Sequence, residues 1–465
     1  MAGGSPRDHT RRTAGHIVSG APGLGFGVSE ADWVRHAIWW QVYPLGFTGA
    51  YPLRDSGSPR HPEDRAPEAA QDQQPHRLRR LVAWLDYAVD LGVSGLALGP
   101  IFASETHGYD TVDHFRIDPR LGDEGDFDAL VAAAHDRGLR VLLDGVFNHV
   151  GRGHPALPPT GAWSSGRRGE PGDEVRSPET AHWFVKQGDD FANFEGHGGL
   201  VALNHREPAV ADLVTDVLNH WLDRGADGWR MDAAYAVPPQ FWATVLPRVR
   251  ERHPAAYFVG EVIHGDYADF VARSTLDSVT QYELWKAIWS SLNEGNFYEL
   301  DHALSRHNEF LDGFVPMTFV GNHDVSRLAS RLTDERHVAL AVAVLMTVGG
   351  TPSVYAGDEQ GFTGVKEDRE HGDDAVRPPF PAEPADLAPY GQPVLQLHQE
   401  LIGLRRRHPW LHQARTRAVR LANEQYAYEV TDGTHGIVVC LNVGDEPAEV
   451  TAGARLDPHS YRVLE

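Results

Sequence analysis

RVLLDGVFNH, residues 140–149, opens apolar and closes polar. Val141, Leu142 and Leu143 read as a buried strand, whereas Asp144, Asn148 and His149 cannot be buried without partners. The same change of character recurs along the chain. GWRMD, from Gly228, ends on Arg230 and Asp232; YFVGEV, from Tyr257, carries Glu261; and MTFVG, from Met317, runs into Asn322-His323-Asp324. Polar clusters at the C-terminal ends of several apolar strands are what a barrel of parallel strands places around its mouth.

Four further runs, IWWQVYP from Ile38, SGLALG from Ser94, LDSVTQY from Leu276 and PSVYAG from Pro352, bring the strands to eight. Helical patterns lie between them. LRRLVAWLDYAVDLG, from Leu78, stops at Gly92, and EPAVADLVTDVLNHWLDRG, from Glu207, stops at Gly225. Eight alternating units predict an α/β fold, a (β/α)8 TIM barrel. A Gly/Pro/Ser-rich insertion between His149 and about Asn204 follows the third strand, so it rises from the C-terminal mouth. QYAYEV, GIVVCLNV and SYRVL predict a small C-terminal antiparallel β domain. The expected organisation is a flexible tail over 1–30, a barrel over 31–149 and 206–412, an inserted domain B over 150–205 and the β domain over 413–465.

With 65 acidic against 42 basic residues and a net charge of -23, the chain repels nucleic acid and anionic membranes. The apolar stretch Val338 to Val348 is too short to span a bilayer and predicts a buried helix. The single cysteine, Cys440, permits no intrachain disulfide and sits in a strand pattern as a small buried hydrophobe. The first thirty residues hold no apolar signal-like run, so a cytoplasmic enzyme is expected. Oligomeric state is left open.

Arg230 and Asp232 are two apart and so face the same way along a strand. Arg-x-Asp alone is more often a structural ion pair, and Gly-Glu-Val alone says almost nothing; the weight lies in the four clusters together. Three carboxylates at one mouth suit glycoside hydrolysis with retention, which needs an ionised nucleophile and a protonated acid roughly 5–5.5 Å apart. On this reading Arg230 keeps Asp232 ionised. Glu261, between apolar Val259 and Val262 and near like charges, keeps its proton and serves as the acid. His149 and His323 donate hydrogen bonds to sugar hydroxyls. Trp39, Trp40, Trp84, Trp221 and Trp229 read as core, whereas Trp163, Trp183 and Phe194 in the insertion are candidates for stacking on sugar.

DGVFNH, GWRMD, GEV and FVGNHD together resemble the motifs of the third, fourth, fifth and seventh strands in the α-amylase superfamily, glycoside hydrolase family thirteen. The resemblance covers roughly residues 36 to 420. It implies Asp232 as nucleophile, Glu261 as general acid/base and Asp324 as the carboxylate that grips sugar hydroxyls, with Arg230, His149 and His323 lining the reacting subsite. HGYDT is similar to the family's second-strand loop, which implies Tyr109 as a platform beneath the sugar and Asp110 nearby. LVALN, at Leu200, resembles the end of the inserted domain, and the order of motifs is closest to the neopullulanase and maltogenic amylase branch. Asp373 and Arg377 resemble an Asp/Arg pair that holds the terminal 4-hydroxyl in exo-acting relatives.

One departure matters: Tyr235-Ala236 stands where many amylases have Lys-His, the His giving a carbonyl to calcium. No cofactor is therefore expected to be required, and calcium, with Asn148 as a remaining ligand, is doubtful. The expected substrate is a short α-linked oligosaccharide. Transglycosylation, disaccharide isomerisation and endo-action on amylose or pullulan use the same carboxylates and stay open.

Overall fold

The computed structural model describes residues 30–51, 76–158, 178–369 and 371–465. The expected N-terminal tail, most of the Gly/Pro-rich insertion and Trp163 lie outside these residues.

Eight parallel strands form the barrel: Trp39–Val42, Gly95–Leu98, Arg140–Val146, Gly228–Asp232, Tyr257–Gly260, Ser278–Val279, Met317–Phe319 and Thr351–Tyr355. Each pairs with its sequence neighbours, and the eighth pairs with the first. A parallel bridge from Thr280 to Met317 closes the ring between strands six and seven. The two-residue period then sorts side chains. Trp40, Val141, Leu143, Trp229, Met231 and Phe258 point outward into the large core beneath the helices. Trp39, Ala97, Leu142, Tyr257, Val259 and Met317 point inward and plug the barrel with apolar bulk. Gly228 lies at the level of this plug; a Cβ there would come within 2.3 Å of the Tyr257 carbonyl oxygen. One step up the same inward rows stand Gln41, Asp144, Arg230 and Glu261, with Asp232 above Arg230. Alternation thus carries the interior from a dry plug to a polar mouth.

Most helices follow the expected pattern. Pro208–Asp223 starts on a Pro, with Glu207 accepting from the Ala209 N–H. His337–Thr347 is buried almost throughout, as the run from Val338 predicts. The segment after Leu78 departs from it: Arg77–Trp84 is a 3₁₀ helix that becomes α-helical only at Leu85–Leu91. Its buried residues are Leu78, Leu81 and Trp84, three apart. That spacing lines one side of a three-residue turn and would fan around an α-helix.

His149–Gly151 is the first strand of a small antiparallel sheet with Asn193–Phe194 and His197–Ala202, so the insertion begins at His149 itself. At the far end, Arg415–Leu421, Gln425–Thr431, Gly436–Asn442 and Ser460–Leu464 make a four-stranded antiparallel sheet, with Ala448–Thr451 and Ala454–Leu456 as a second, two-stranded one. The sequence reading had no strand at Arg415–Leu421, whose residues are mostly exposed and whose apolar period is weak. Cys440 is buried in this sheet, and all five tryptophans read as core are fully buried. Among the described residues no helix is long and apolar enough to cross a membrane.

Candidate active site

Arg230 rises from the fourth strand in the centre of the barrel and meets three carboxylates. Its Nη1 donates to both oxygens of Asp144, each at 2.7 Å, and to Oδ1 of Asp232 at 3.2 Å. Its Nη2 lies 2.8 Å from Oε1 of Glu261. The register dictates this: Arg230 is level with Asp144 on strand three and Val259 on strand five, two residues before Glu261. One guanidinium fork therefore gathers the ends of three strands, and its five donors match that demand.

Each carboxylate has its own surroundings. Glu261 accepts from the backbone N–H of Ala233 at 3.0 Å and from the Tyr282 hydroxyl at 3.2 Å, besides its contact with Arg230. Ala233 reaches that position with φ 45°, in the left-handed region. A non-glycine residue held there costs about 1 kcal/mol, spent here on aiming an N–H at Glu261. The Tyr282 hydroxyl in turn accepts from the Asn322 amide at 2.9 Å. Glu261 thus sits among donors, a correction to the apolar setting expected from its valine neighbours. Val259 and Val262 pack into other clusters, below and beside it.

Asp232 makes one hydrogen bond to Arg230, at the longest of the four distances. Burial first, and the charge of Glu261 second, push its pKa well above the usual range, Arg230 acting against them. Arg230 was expected to keep Asp232 fully ionised, but it is shared three ways and held most closely by Asp144 and Glu261. Asp324 is the opposite case. Burial works against its charge, but His323 and Arg377 beside it hold its carboxyl well below the usual range.

His323 is oriented from both sides. The Gln41 amide nitrogen lies 3.2 Å from Nδ1 on one side. Nε2 faces Oδ2 of Asp324 at 2.9 Å and the Tyr109 hydroxyl, while the ring stacks between Tyr43 and Tyr109. Tyr109 also donates to Asp144 at 3.1 Å. Arg377 binds Asp324 at 2.7 Å, Asp373 at 2.9 Å and the His323 carbonyl oxygen at 3.0 Å, with its guanidinium over the Tyr43 ring. Lys366 reaches the other oxygen of Asp373 at 3.2 Å.

Above these groups opens a cavity of about 660 Å³. Asp232, Glu261, Asp324, Tyr109, His149, Asp373 and Arg377 all line it. Arg230 and His323 lie directly beneath, holding lining residues in place. Phe194 lines the cavity and stacks on His149 with centroids 4.8 Å apart, whereas Trp183 packs against the core below the insertion.

Two expected ligands are placed differently. Asp110 is buried and outside the lining, and its carboxylate accepts from the Thr106 hydroxyl at 2.6 Å. His149 presents its ring, but both nitrogens are engaged, Nε2 with the Tyr109 carbonyl oxygen at 3.0 Å and Nδ1 with the Asn148 amide at 3.1 Å. Burial lowers its pKa to about 4, so it is neutral. The residues missed from sequence are Asp144, Gln41, Tyr282, Glu195 and Tyr235. Asp144 was visible one inward step above Leu142, and Tyr282 at the polar end of LDSVTQY. Tyr235 was noted only as a departure; it lines the cavity and donates to Glu195 of the insertion at 2.8 Å. The Asn148 side-chain nitrogen lies 3.1 Å from Nδ1 of His149, and the described residues around it gather no cluster of three acidic or imidazole ligands.

A parallel barrel with three carboxylates, two arginines and stacked aromatics at its mouth defines a carbohydrate-active enzyme. The chain belongs to the α-amylase catalytic-domain family, whose model matches residues 77–416, and is a glycoside hydrolase of that family. It is 28% identical over 438 residues to a cyclomaltodextrinase of Geobacillus thermopakistaniensis, covering 90% of this chain and 71% of that one. It is 30% identical to the intracellular maltogenic amylase of Bacillus subtilis, covering 73% of this chain and 59% of that protein. The chain thus spans little more than half the length of that second relative. Among solved structures it is similar to the cyclic α-maltosyl-(1→6)-maltose hydrolase of Arthrobacter globiformis in complex with that sugar. The TM-score is 0.77 at 25% identity, covering 94% of this chain and 99% of the other.

Proposed function

We propose that the protein hydrolyses α-glucosidic bonds of short oligosaccharides with retention, taking one unit at a time from the non-reducing end. The observation that carries this is the single cavity face shared by Asp232, Glu261 and Asp324 and walled by Arg377 and Asp373.

In the first displacement, the Asp232 carboxylate attacks the anomeric carbon as Glu261 gives its proton to the departing glycosidic oxygen. The C–O bond to the leaving sugar breaks and a glycosyl ester forms on Asp232. In the second, Glu261, now ionised, takes a proton from water, whose oxygen attacks the anomeric carbon from the face the leaving sugar vacated, opposite Asp232, and displaces it. The electron pair returns to Asp232, and Glu261 ends protonated. Arg230 serves both steps as a cation fixed below the two carboxylates, stabilising whichever is charged. Asp324 accepts hydrogen bonds from sugar hydroxyls, its charge secured by His323 and Arg377. Tyr109 offers its ring to the sugar, backed by His323. No step passes through a metal.

The lowered symmetry of Asp232 and Glu261 supports these roles. Asp232 has one partner, Arg230 at 3.2 Å, and lies free for attack, whereas Glu261 is fixed in place by the Ala233 N–H, the Tyr282 hydroxyl and Arg230. The test follows the first-formed product by NMR during cleavage of maltotriose. The α-anomer, preceding mutarotation, is expected; β-glucose formed first means inversion and removes Asp232 as nucleophile.

A further inference from the structure

Away from the cavity, two histidines and an aspartate converge where the barrel meets the C-terminal sheet. His337 opens the helix His337–Thr347, Asp334 stands in the turn before it, and His459 lies in the turn between Ala454–Leu456 and Ser460–Leu464. Nε2 of His337 is 3.0 Å from Nδ1 of His459, which is 3.8 Å from Oδ2 of Asp334. The three donor atoms all lie within 4.8 Å of one another. His337 is 5% exposed and the His459 side chain 7%, whereas Asp334, at 24%, leaves one edge open to solvent.

We propose that Asp334, His337 and His459 form a site for a divalent transition metal of the zinc type, which fastens the C-terminal sheet to the barrel. Zinc bound at about 2.0–2.2 Å in a tetrahedron separates neighbouring ligand atoms by about 3.3 Å. The spacings of 3.0 and 3.8 Å straddle that value, and the third, from His337 to Asp334, lies within 4.8 Å, so Asp334 must close on His337 by about 1 Å to complete the site. Water takes the fourth position through the open edge at Asp334.

The surroundings fit a metal better than they fit two packed imidazoles. Asp445 lies 2.9 Å from Nε2 of His459 and accepts its proton. Nδ1 of His459 is then a lone pair aimed at the centre of the cluster, the carboxylate–histidine–metal arrangement. Without an ion, His337 must place a proton on Nε2 to satisfy that lone pair. With one, the proton moves to Nδ1, and both imidazoles bind as neutral ligands. Asp334 accepts from Nε and Nη2 of Arg336, both at Oδ2, a contact that keeps it ionised; to bind the ion through Oδ2, Arg336 must shift to Oδ1, which its Nε already reaches at 2.9 Å. The N-terminal helix dipole opposes a cation here, and the charges of Asp334 and Asp445 offset it. Nothing in the proposed reaction uses these residues.

The experiment uses the full, untagged chain, stripped with chelator and titrated with Zn²⁺ against a chromophoric competitor. One equivalent is expected to bind with a Kd of about 10 µM or tighter, with a rise in Tm. Co²⁺ is expected to give the intense visible bands of four-coordination. His459 has φ 49°, a conformation Asn also accepts, so His459→Asn keeps the turn and removes the ligand. That variant is expected to lose at least about 100-fold in affinity. Asp445→Asn, at a side chain 96% exposed and so harmless to folding, is expected to lose about 10–100-fold. His76→Ala tests the only other such cluster among the described residues, His76, Asp123 and Asp126, and is expected to bind as the parent does. No uptake by the parent chain, or undiminished affinity in both His459→Asn and Asp445→Asn, overturns the proposal.

Discussion

Replacing Asp373 with Asn tests whether the loop after the eighth strand ends the cavity. Asp373 is bound by Arg377 at 2.9 Å and Lys366 at 3.2 Å, and its carboxylate borders the same cavity as Asp324. A terminal 4-hydroxyl held there donates to a charged acceptor, an interaction worth about 1.5–3 kcal/mol. At about 1.4 kcal/mol per factor of ten, the substitution is expected to lower kcat/KM on maltotriose by about 10- to 150-fold. The folded state loses little, because Asp373 is 31% exposed and its ion pairs are partly screened, so Tm is expected to move by less than about 3 °C. The assay compares maltoheptaose with the same sugar blocked at its terminal O4. The parent enzyme is expected to cleave only the unblocked form, and Asp373→Ala, which removes the wall, to regain some cleavage of the blocked one. Equal parent rates on both substrates would show an open cleft and refute terminal recognition.

Three further outcomes follow from the same geometry. Asp232→Asn and Glu261→Gln are each expected to lower kcat by several powers of ten, about 10³ or more, with circular dichroism unchanged, since both sit at strand ends above the apolar plug; full activity in either variant would sink its assigned role. The acid limb of kcat/KM on an aryl glucoside that needs no acid is expected above the free-carboxyl range of about 4, because burial and the Glu261 charge raise Asp232. Glu261→Gln removes a negative charge, which favours ionised Asp232 and so is expected to move that limb to lower pH; a move upward would contradict the assignment. EDTA is expected to leave activity unchanged, given Tyr235-Ala236 in place of Lys-His, and a loss of activity restored by calcium would overturn that reading.

The barrel was legible because its strands announce themselves twice, by apolar runs of β-formers and by the abrupt polar residues that close them. The gathering of Arg230, Asp232, Glu261 and Asp324 was legible because polar side chains at those strand ends have no packing role, whereas Asp373 and Arg377, in the loop well past the eighth strand, were reached only through the family resemblance. Asp110 was misplaced for a local reason. Adjacent residues in a loop need not face the same way, and while Tyr109 enters the cavity, Asp110 turns to Thr106. His149 was right in place but not in role, since a ring nitrogen's partners are set by backbone carbonyls and amides that the sequence does not display. The 3₁₀ turn at Arg77–Trp84 could be read from the three-residue spacing of Leu78, Leu81 and Trp84, whereas Arg415–Leu421 carries too few buried residues to betray a strand.

The charge order at the centre was the least readable feature, and the cause is geometric. Pairing Arg230 with Asp232 from their spacing assumes that neighbours on one strand are each other's strongest partners. In a closed barrel the inward side chains at one level come from different strands, so Arg230 is shared with Asp144 and Glu261, both closer than Asp232. The cation therefore does not single out the nucleophile. It draws three carboxylates together while leaving Asp232 the most loosely bound, which is what the proposed attack on carbon asks of a nucleophile. A second cation, Arg377, binds Asp324 at 2.7 Å, so the two arginines divide the carboxylates of the mouth between them.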